Sequence, residues 1–120
     1  MKHRGMSHIH LVVRDLERSV RFYERAFGLK VVLRNDGERM VFMQTPGTSE
    51  IVTLREGDDE RIGRSGGIDH FGFPLVDAND LDQAILEVEA AGGRLIERVL
   101  SASGYPTAFV ADPDGYRIQI

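Results

Sequence analysis

The strongest constraint on this fold is an internal repeat, because two halves of the chain follow the same plan. The first half opens with the strand-like run at 8–13, which starts at His8, and reaches Gly28 after an amphipathic stretch. The second half opens with a similar run at His70 and reaches Gly92. The two histidine-to-glycine spacings are 20 and 22 residues. Each half therefore predicts a strand, a helix and a further set of strands.

Both halves carry a helix signal directly after the first strand. Leu16, Val20, Tyr23 and Phe27 recur at steps of four, three and four, which places them on one side of a helix. Asp15 can cap the first turn of this helix, and the glycine at position 28 can end it. The equivalent stripe in the second half comprises Leu81, Ala84, Ile85, Val88 and Ala91.

The remaining apolar runs predict three strands after each helix. They lie near 29–35, 39–45 and 50–55 in the first half, and near 94–101, 106–111 and 116–120 in the second. The segment 56–67 is rich in glycine and charge and predicts a linker or exposed loop. We therefore predict one α+β domain over 6–120, with module one at 6–55, the linker at 56–67 and module two at 68–120, each module being βαβββ.

The amino-acid composition limits the metal ligands and the partners that this chain can have. The 120 residues include four histidines and no cysteine, so a metal would have nitrogen and oxygen ligands and no thiolate. The net charge of 15 − 19 = −4 argues against a general nucleic-acid binder. No apolar run approaches the roughly 20 residues of a membrane span, and no signal peptide is visible. A cytoplasmic protein without nucleic-acid or membrane partners is expected.

Strand alternation predicts where the polar groups gather. In the first strand His8 and His10 share one face, opposite an aliphatic face that can pack under the helix. His70 occupies the equivalent face in the second half, and Arg117 and Gln119 share that face in the last strand. If the two sheets curve around a common space, these groups converge in a cleft that suits Zn, Ni, Mn or Fe.

The histidines are not expected to be equivalent. The matching places of His8 and His70 in the two repeats favour metal ligands over ordinary surface residues. His10 is either a ligand or a hydrogen-bonding neighbour of the site. His3, in the N-terminal tail, is expected to have no functional role.

A longer pattern resembles a known superfamily. The pattern comprises His8 with residues 13–23, the Phe-Gly-Leu at 27–29, His70, and residues 108–118 around an Asp-Pro-Asp-Gly turn. This chain resembles the vicinal oxygen chelate superfamily over about 8–120. That superfamily includes glyoxalase I, type I extradiol dioxygenases, fosfomycin-modifying enzymes and bleomycin-binding resistance proteins.

The resemblance implies paired βαβββ modules that form a U-shaped, eight-stranded half-barrel cleft around a divalent metal. The metal chelates two neighbouring substrate oxygens and stabilises the resulting anion as a Lewis acid. The family's ligand positions fall on His8, His70 and Gln119, with an additional position on Thr53. The resemblance also implies a homodimer, and in some members each site uses residues from both chains.

Two departures from the family pattern bear on the reaction. Gln119 and Thr53 stand where a carboxylate is common, and neither can accept a proton at neutral pH. The sequence therefore argues against an ordinary glyoxalase I isomerisation, and it leaves the two-histidine, one-carboxylate triad of a dioxygenase incomplete. Glu50 or Glu56 would supply the carboxylate if the fourth strand has a different register.

The first functional hypothesis is a metal-dependent enzyme, a lyase, isomerase or dioxygenase that acts on a small molecule with adjacent oxygens. His10 would serve as its acid or base. Arg55 and Arg117 would bind an anionic group of the substrate, and Thr53 would contact the substrate.

The alternative is a metal-free protein that binds a drug or metabolite, with Tyr105 and Phe109 lining its cleft. A purely structural or regulatory domain is a third possibility that no sequence feature specifically supports.

Overall fold

A computed structural model describes residues 1–2, 4–64 and 66–120, so the expectation for His3 lies outside the described residues. The first module contains β1 (His8–Val13), α1 (Leu16–Phe27), β2 (Lys30–Asn35), β3 (Met40–Gln44) and β4 (Ile51–Glu56). The second contains β5 (Phe71–Gly72), a 3₁₀ turn (Ala78–Asp80), α2 (Leu81–Ala90), β6 (Arg94–Leu100), β7 (Pro106–Ala111) and β8 (Arg117–Gln119).

The repeat produces two sheets with the same strand order. The first sheet runs β1-β4-β3-β2 and the second runs β5-β8-β7-β6. In each sheet the first pair is parallel and the others are antiparallel. The register even shifts at equivalent points, between Val31 and Leu33 in β2 and between Leu95 and Glu97 in β6. The predicted α+β class with eight strands is confirmed, as two four-stranded sheets that do not close into a barrel.

Helix α1 begins and ends at the residues that the sequence predicts. The Asp15 carboxylate accepts a 2.9 Å hydrogen bond from the backbone N–H of Arg18. Gly28 adopts a left-handed φ of 67°, which glycine tolerates without strain, and its N–H donates to the Glu24 carbonyl. No helix within the described ranges has the length and apolar character needed to cross a membrane.

The two modules share one hydrophobic core. Helices α1 and α2 contact each other, and each also contacts strands of its own sheet. The Phe27 ring of α1 lies 4.5 Å from the Phe73 ring, which follows β5. The histidines lie away from this core, since His8, His10 and His70 are all exposed.

A buried aspartate joins the modules at the turn before β8. One oxygen of the Asp112 carboxylate accepts from the Tyr23 hydroxyl of α1 at 3.0 Å. The other accepts from the backbone N–H groups of Asp114, Gly115 and Tyr116 at 2.9–3.0 Å. This carboxylate therefore stabilises the conformation of the turn and also holds the turn against α1 of the other module.

Replacing Asp112 with asparagine is expected to reduce the pH dependence of folding. Burial raises the pKa of Asp112 from 3.8 to about 6, even though hydrogen bonds favour its charged form. Because the unfolded chain loses this proton at lower pH than the folded protein, wild-type stability declines as the pH rises from about 4 to about 6. The free energy of unfolding of the wild type, minus that of Asp112→Asn, should fall by about 2 kcal/mol between pH 4.5 and pH 7.5. Urea titrations at the two pH values measure this difference. A constant difference between the two proteins would show that Asp112 is ionised throughout.

The segment between the modules also packs against this turn. Ile62 is only 5 % exposed. A Cβ atom at Gly63 would lie 2.0 Å from the Asp114 carbonyl oxygen, so only glycine permits this approach. Part of the predicted linker is therefore fixed against the second module, where it can form a wall of a cleft.

Candidate functional site

The first group of polar side chains lies on the outer face of β1 and β4. His8 and His10 are exposed there, and the parallel register places His10 beside Thr53 and Val12 beside Arg55. Partial burial lowers the pKa of His10, and the charges of Arg55 and His8 lower it further. The lowered pKa favours the neutral imidazole, which can accept a proton.

The second group centres on His70. Its Nδ1 atom lies 2.6 Å from a carboxylate oxygen of Asp69, and its Nε2 atom lies 3.1 Å from Oε1 of Gln119. The hydrogen bond from His70, followed by the charge of Arg117, lowers the pKa of Asp69. Asp69 is thus an ionised acceptor that favours the imidazole proton on Nδ1.

With its proton on Nδ1, neutral His70 presents a lone pair at Nε2 to the lone pairs of the Gln119 oxygen. Two acceptors 3.1 Å apart are satisfied by a second imidazole proton, by rotation of the Gln119 amide that turns its NH₂ group toward His70, or by a cation that both can bind. Imidazole nitrogen and amide oxygen are also ligands that bind divalent metals. The second group therefore has the chemistry of half a metal site.

The nitrogen of the Gln119 side-chain amide has its own hydrogen-bond partner. Its Nε2 atom donates to the Thr107 hydroxyl at 3.4 Å, and that hydroxyl in turn donates to the Val99 carbonyl at 3.5 Å. On the opposite side Gly72 lies next to Gln119, where an added Cβ would be 3.0 Å from the Gln119 carbonyl oxygen. Gln119 thus lies between Thr107 of β7 and Gly72 of β5, and the glycine has no side chain that would crowd it.

Arg117 is engaged by neighbouring side chains. Its guanidinium lies 3.8 Å from the centre of the Phe109 ring, and it forms ion pairs with Glu97 at 2.6 Å and Asp69 at 3.4 Å. The same phenyl ring meets the His70 imidazole edge-on at 4.8 Å. Arg117 and Phe109 therefore surround His70, and their predicted contact with substrate stays a prediction.

A cleft of about 520 Å³ opens between the β1 edge of one sheet and the β5 edge of the other. His10, His70 and Arg117 line it, and residues 61–64 of the intervening segment form another wall.

Other predicted site residues lie elsewhere. Thr53 is 2 % exposed within the first sheet, and Tyr105 is 64 % exposed in the turn before β7. The cleft lining does not include His8, Thr53, Arg55, Tyr105, Phe109 or Gln119.

The alternative carboxylates do not complete the histidine sites. Glu56 accepts from the Leu16 backbone N–H at 3.0 Å and from Arg39 at 2.7 Å, which ties it to the start of α1. Glu50 lines a different crevice, between α1 and α2. Across the described ranges, no three His, Cys, Asp or Glu side chains come together as a metal site. A metal bound here would therefore use Gln119 or a ligand from outside the single chain.

Sequence reasoning missed Asp69, Thr107 and Glu97. Asp69 directly precedes His70, and strand alternation would have placed it on the opposite face; it lies in the loop before β5 and can turn back. Thr107 was detectable, since it shares a strand face with Phe109, which pairs with Gln119. Glu97 follows the register shift in β6, which sequence alone does not reveal.

Comparison with known proteins agrees with this architecture. The sequence model of the Glyoxalase/Bleomycin resistance protein/Dioxygenase superfamily matches residues 5–120, almost the entire chain. The chain belongs to this superfamily. The resemblance seen in the sequence motifs is thereby confirmed, and so is the fold that it implied.

Three proteins illustrate what this chain is similar to in sequence or in fold. The lactoylglutathione lyase of Escherichia coli O157:H7 is 27 % identical, over 94 % of this chain and 88 % of that protein. A probable chloroplastic lactoylglutathione lyase of Arabidopsis thaliana is 28 % identical, over 98 % of this chain and 35 % of that protein. A mutant of the fosfomycin resistance protein FosX from Listeria monocytogenes, complexed with Mn(II) and a dihydroxypropylphosphonic acid, has a TM-score of 0.79 at 20 % identity, over 98 % and 89 % of the two chains. This chain spans 35–65 % of the length of several curated relatives.

Proposed function

We propose that this protein is a divalent-metal-dependent enzyme that acts on a small molecule with vicinal oxygens. The observation that carries the proposal is the pair formed by His70 Nε2 and Gln119 Oε1, which lie 3.1 Å apart. Asp69 holds the other imidazole nitrogen, an arrangement that orients and strengthens metal-binding histidines in general. Zn, Ni, Mn and Fe suit such a nitrogen and oxygen set.

The third ligand in this proposal is His8 of a second copy of the chain. His8 and His70 belong to separate groups on outward faces, and the Ser7 hydroxyl contacts His8 at Nδ1, which leaves Nε2 free for a metal. The β2 edge strand also exposes three consecutive apolar residues, Val31, Val32 and Leu33, at 37 %, 52 % and 58 %. Exposed apolar strips of this kind are typical of surfaces that another chain covers. We therefore propose a homodimer.

Each side chain has a distinct role in this proposal. A bound metal would act as a Lewis acid toward the two substrate oxygens. His10, whose environment favours the neutral imidazole, accepts or returns a proton, and Arg55 on the same face binds an anionic group. Gln119 accepts no proton, so the proposed reaction is a lyase- or dioxygenase-like step in preference to the isomerisation by a metal-bound glutamate. A cytoplasmic location stays a prediction.

Metal titration of the tag-free protein tests this function. We expect Mn²⁺, Zn²⁺, Ni²⁺ or Fe²⁺ to bind at about one ion per chain and to raise the melting temperature, because a ligand that binds only the folded state stabilises it. Mn²⁺ is the first ion to test, since the FosX structure that shares this fold contains it. If none of these ions binds or raises the melting temperature, the enzyme proposal is wrong.

The second candidate function is metal-free binding of a drug or metabolite. It is favoured by the neutral side chains at Gln119 and Thr53 and by a cleft of about 520 Å³, a volume typical of small-molecule sites. A double variant, His8→Ala with His70→Ala, separates the two functions once a ligand is found. Full ligand affinity in this variant would favour the metal-free protein, and loss of binding would favour the metal site.

A further inference from the structure

We infer that Asp69 is a positioning residue that holds the proton of His70 on Nδ1 and so keeps Nε2 free beside the Gln119 oxygen. The effect of Asp69 on metal binding rests on the proposed function. Its effect on the position of the His70 proton applies to the metal-free protein as well. Asp69 itself contacts neither substrate nor metal in the proposed site. It acts only through the imidazole.

The contact between Asp69 and His70 is short and directional. The distance of 2.6 Å between Oδ2 and Nδ1 is below the 2.7–2.9 Å usual for charge-assisted N–H···O bonds, so the nitrogen at this end carries the proton. The opposite ring nitrogen then has its lone pair directed at Gln119. A single carboxylate thus decides which nitrogen of the ring can bind a cation.

Arg117 holds Asp69 in place. The Asp69 side chain is 71 % exposed, and such a carboxylate would otherwise sample several rotamers. Nη1 of Arg117 lies 3.4–3.5 Å from both of its oxygens, while Nη2 is fixed by Glu97 at 2.6 Å. The guanidinium also stacks on Phe109, which restricts it further. Arg117 therefore belongs to the same positioning network.

The far side of the pair is anchored independently. Thr107 contacts the amide nitrogen of Gln119 at 3.4 Å, and the amide oxygen faces His70. The two proposed ligand atoms, His70 Nε2 and Gln119 Oε1, are therefore oriented by separate contacts. Thr107 of β7 contacts the Gln119 amide, and Asp69 in the loop before β5 contacts His70. Loss of Asp69 should release the imidazole and leave Gln119 unchanged.

The first test determines the tautomer of His70 in the metal-free protein. Long-range ¹H–¹⁵N NMR spectra are recorded at about pH 9, where an unperturbed imidazole is neutral. We expect the proton on Nδ1 in the wild type and in Asp69→Asn, whose side-chain oxygen still accepts the bond. In Asp69→Ala the proton should move toward Nε2, because the Gln119 oxygen is then the remaining acceptor at the ring. A proton on Nε2 in the wild type, or the same spectrum in Asp69→Ala, would overturn the inference.

The second test measures Mn²⁺ affinity and the melting temperature without metal. Asp69→Ala should bind Mn²⁺ about 10- to 100-fold more weakly, Asp69→Asn should recover part of this loss, and neither should change the metal-free melting temperature. Asp58→Ala is the matched control, because it removes an exposed carboxylate that is not part of the His70 network. Equal affinities in Asp69→Ala and Asp58→Ala would contradict the positioning role. If the wild type binds no metal, the proposed function fails, and the tautomer still decides the inference.

Discussion

Replacing His70 with alanine is expected to weaken Mn²⁺ binding by more than about 100-fold, because loss of a mere orienting neighbour already costs 10- to 100-fold. His70 supplies one of the two proposed ligand atoms in its module, 3.1 Å from the Gln119 oxygen. His8→Ala should have a similar effect if His8 of a second chain completes the site. Calorimetric titration with Mn²⁺ measures both losses directly.

The variant His10→Ala is the control for these losses. In this account His10 moves protons and does not bind the metal, so His10→Ala should keep Mn²⁺ affinity within about threefold and lose turnover. Wild-type affinity in His70→Ala would remove the basis of the proposed metal site. Loss of affinity in His10→Ala instead would move the ligand role to that residue.

Replacing Gln119 with glutamate is expected to tighten Mn²⁺ binding by at least about tenfold, because a carboxylate adds a negative charge to the ligand set. The oxygen facing His70 would be retained, while the hydrogen bond from the amide nitrogen to Thr107 would be lost. The added carboxylate would also provide a proton acceptor at the metal. Gln119→Leu, which removes the oxygen, should weaken binding.

The matched control for this change is Asn35→Asp on the β2 edge. It makes the same amide-to-carboxylate change, and its remaining oxygen can still accept from the Glu38 backbone N–H. If Asn35→Asp tightens Mn²⁺ binding as much as Gln119→Glu, the gain reflects overall charge alone. The proposed role of Gln119 would then be wrong.

Much of the fold follows from the repeat. The apolar stripe from Leu16 to Phe27 and the caps at Asp15 and Gly28 were sufficient to predict α1 and its ends. Strand alternation also correctly placed His8 and His10 on a face away from the core. These features are local, since each depends on residues within one or two turns or along a single strand.

The packing of one module against the other could not be predicted from such local patterns. Alternation places His8 and His70 on equivalent faces, but it does not show whether those faces meet. This depends on how α1 and α2 pack against each other, since both helices contribute to one core. That contact joins surfaces about 60 residues apart in the chain, and its geometry depends on packing that no short pattern encodes.

The network around His70 illustrates the same limit at smaller scale. Arg117 was predicted to bind substrate because it shares a strand face with Gln119. In the structure Glu97, Asp69 and Phe109 surround it, and two of these come from a loop and from a strand beyond a register shift. A charged side chain at a predicted site can therefore serve the site indirectly.

Mixing two variants that each lack one histidine tests whether each metal site combines His8 of one chain with His70 and Gln119 of another. His8→Ala and His70→Ala are combined in equal amounts, refolded together, and titrated with Mn²⁺. Half of the random dimers are mixed, and each of these contains one intact site, so about one quarter of the wild-type sites should return. If the mixture binds no more Mn²⁺ than the separate variants, the site does not combine these histidines from two chains.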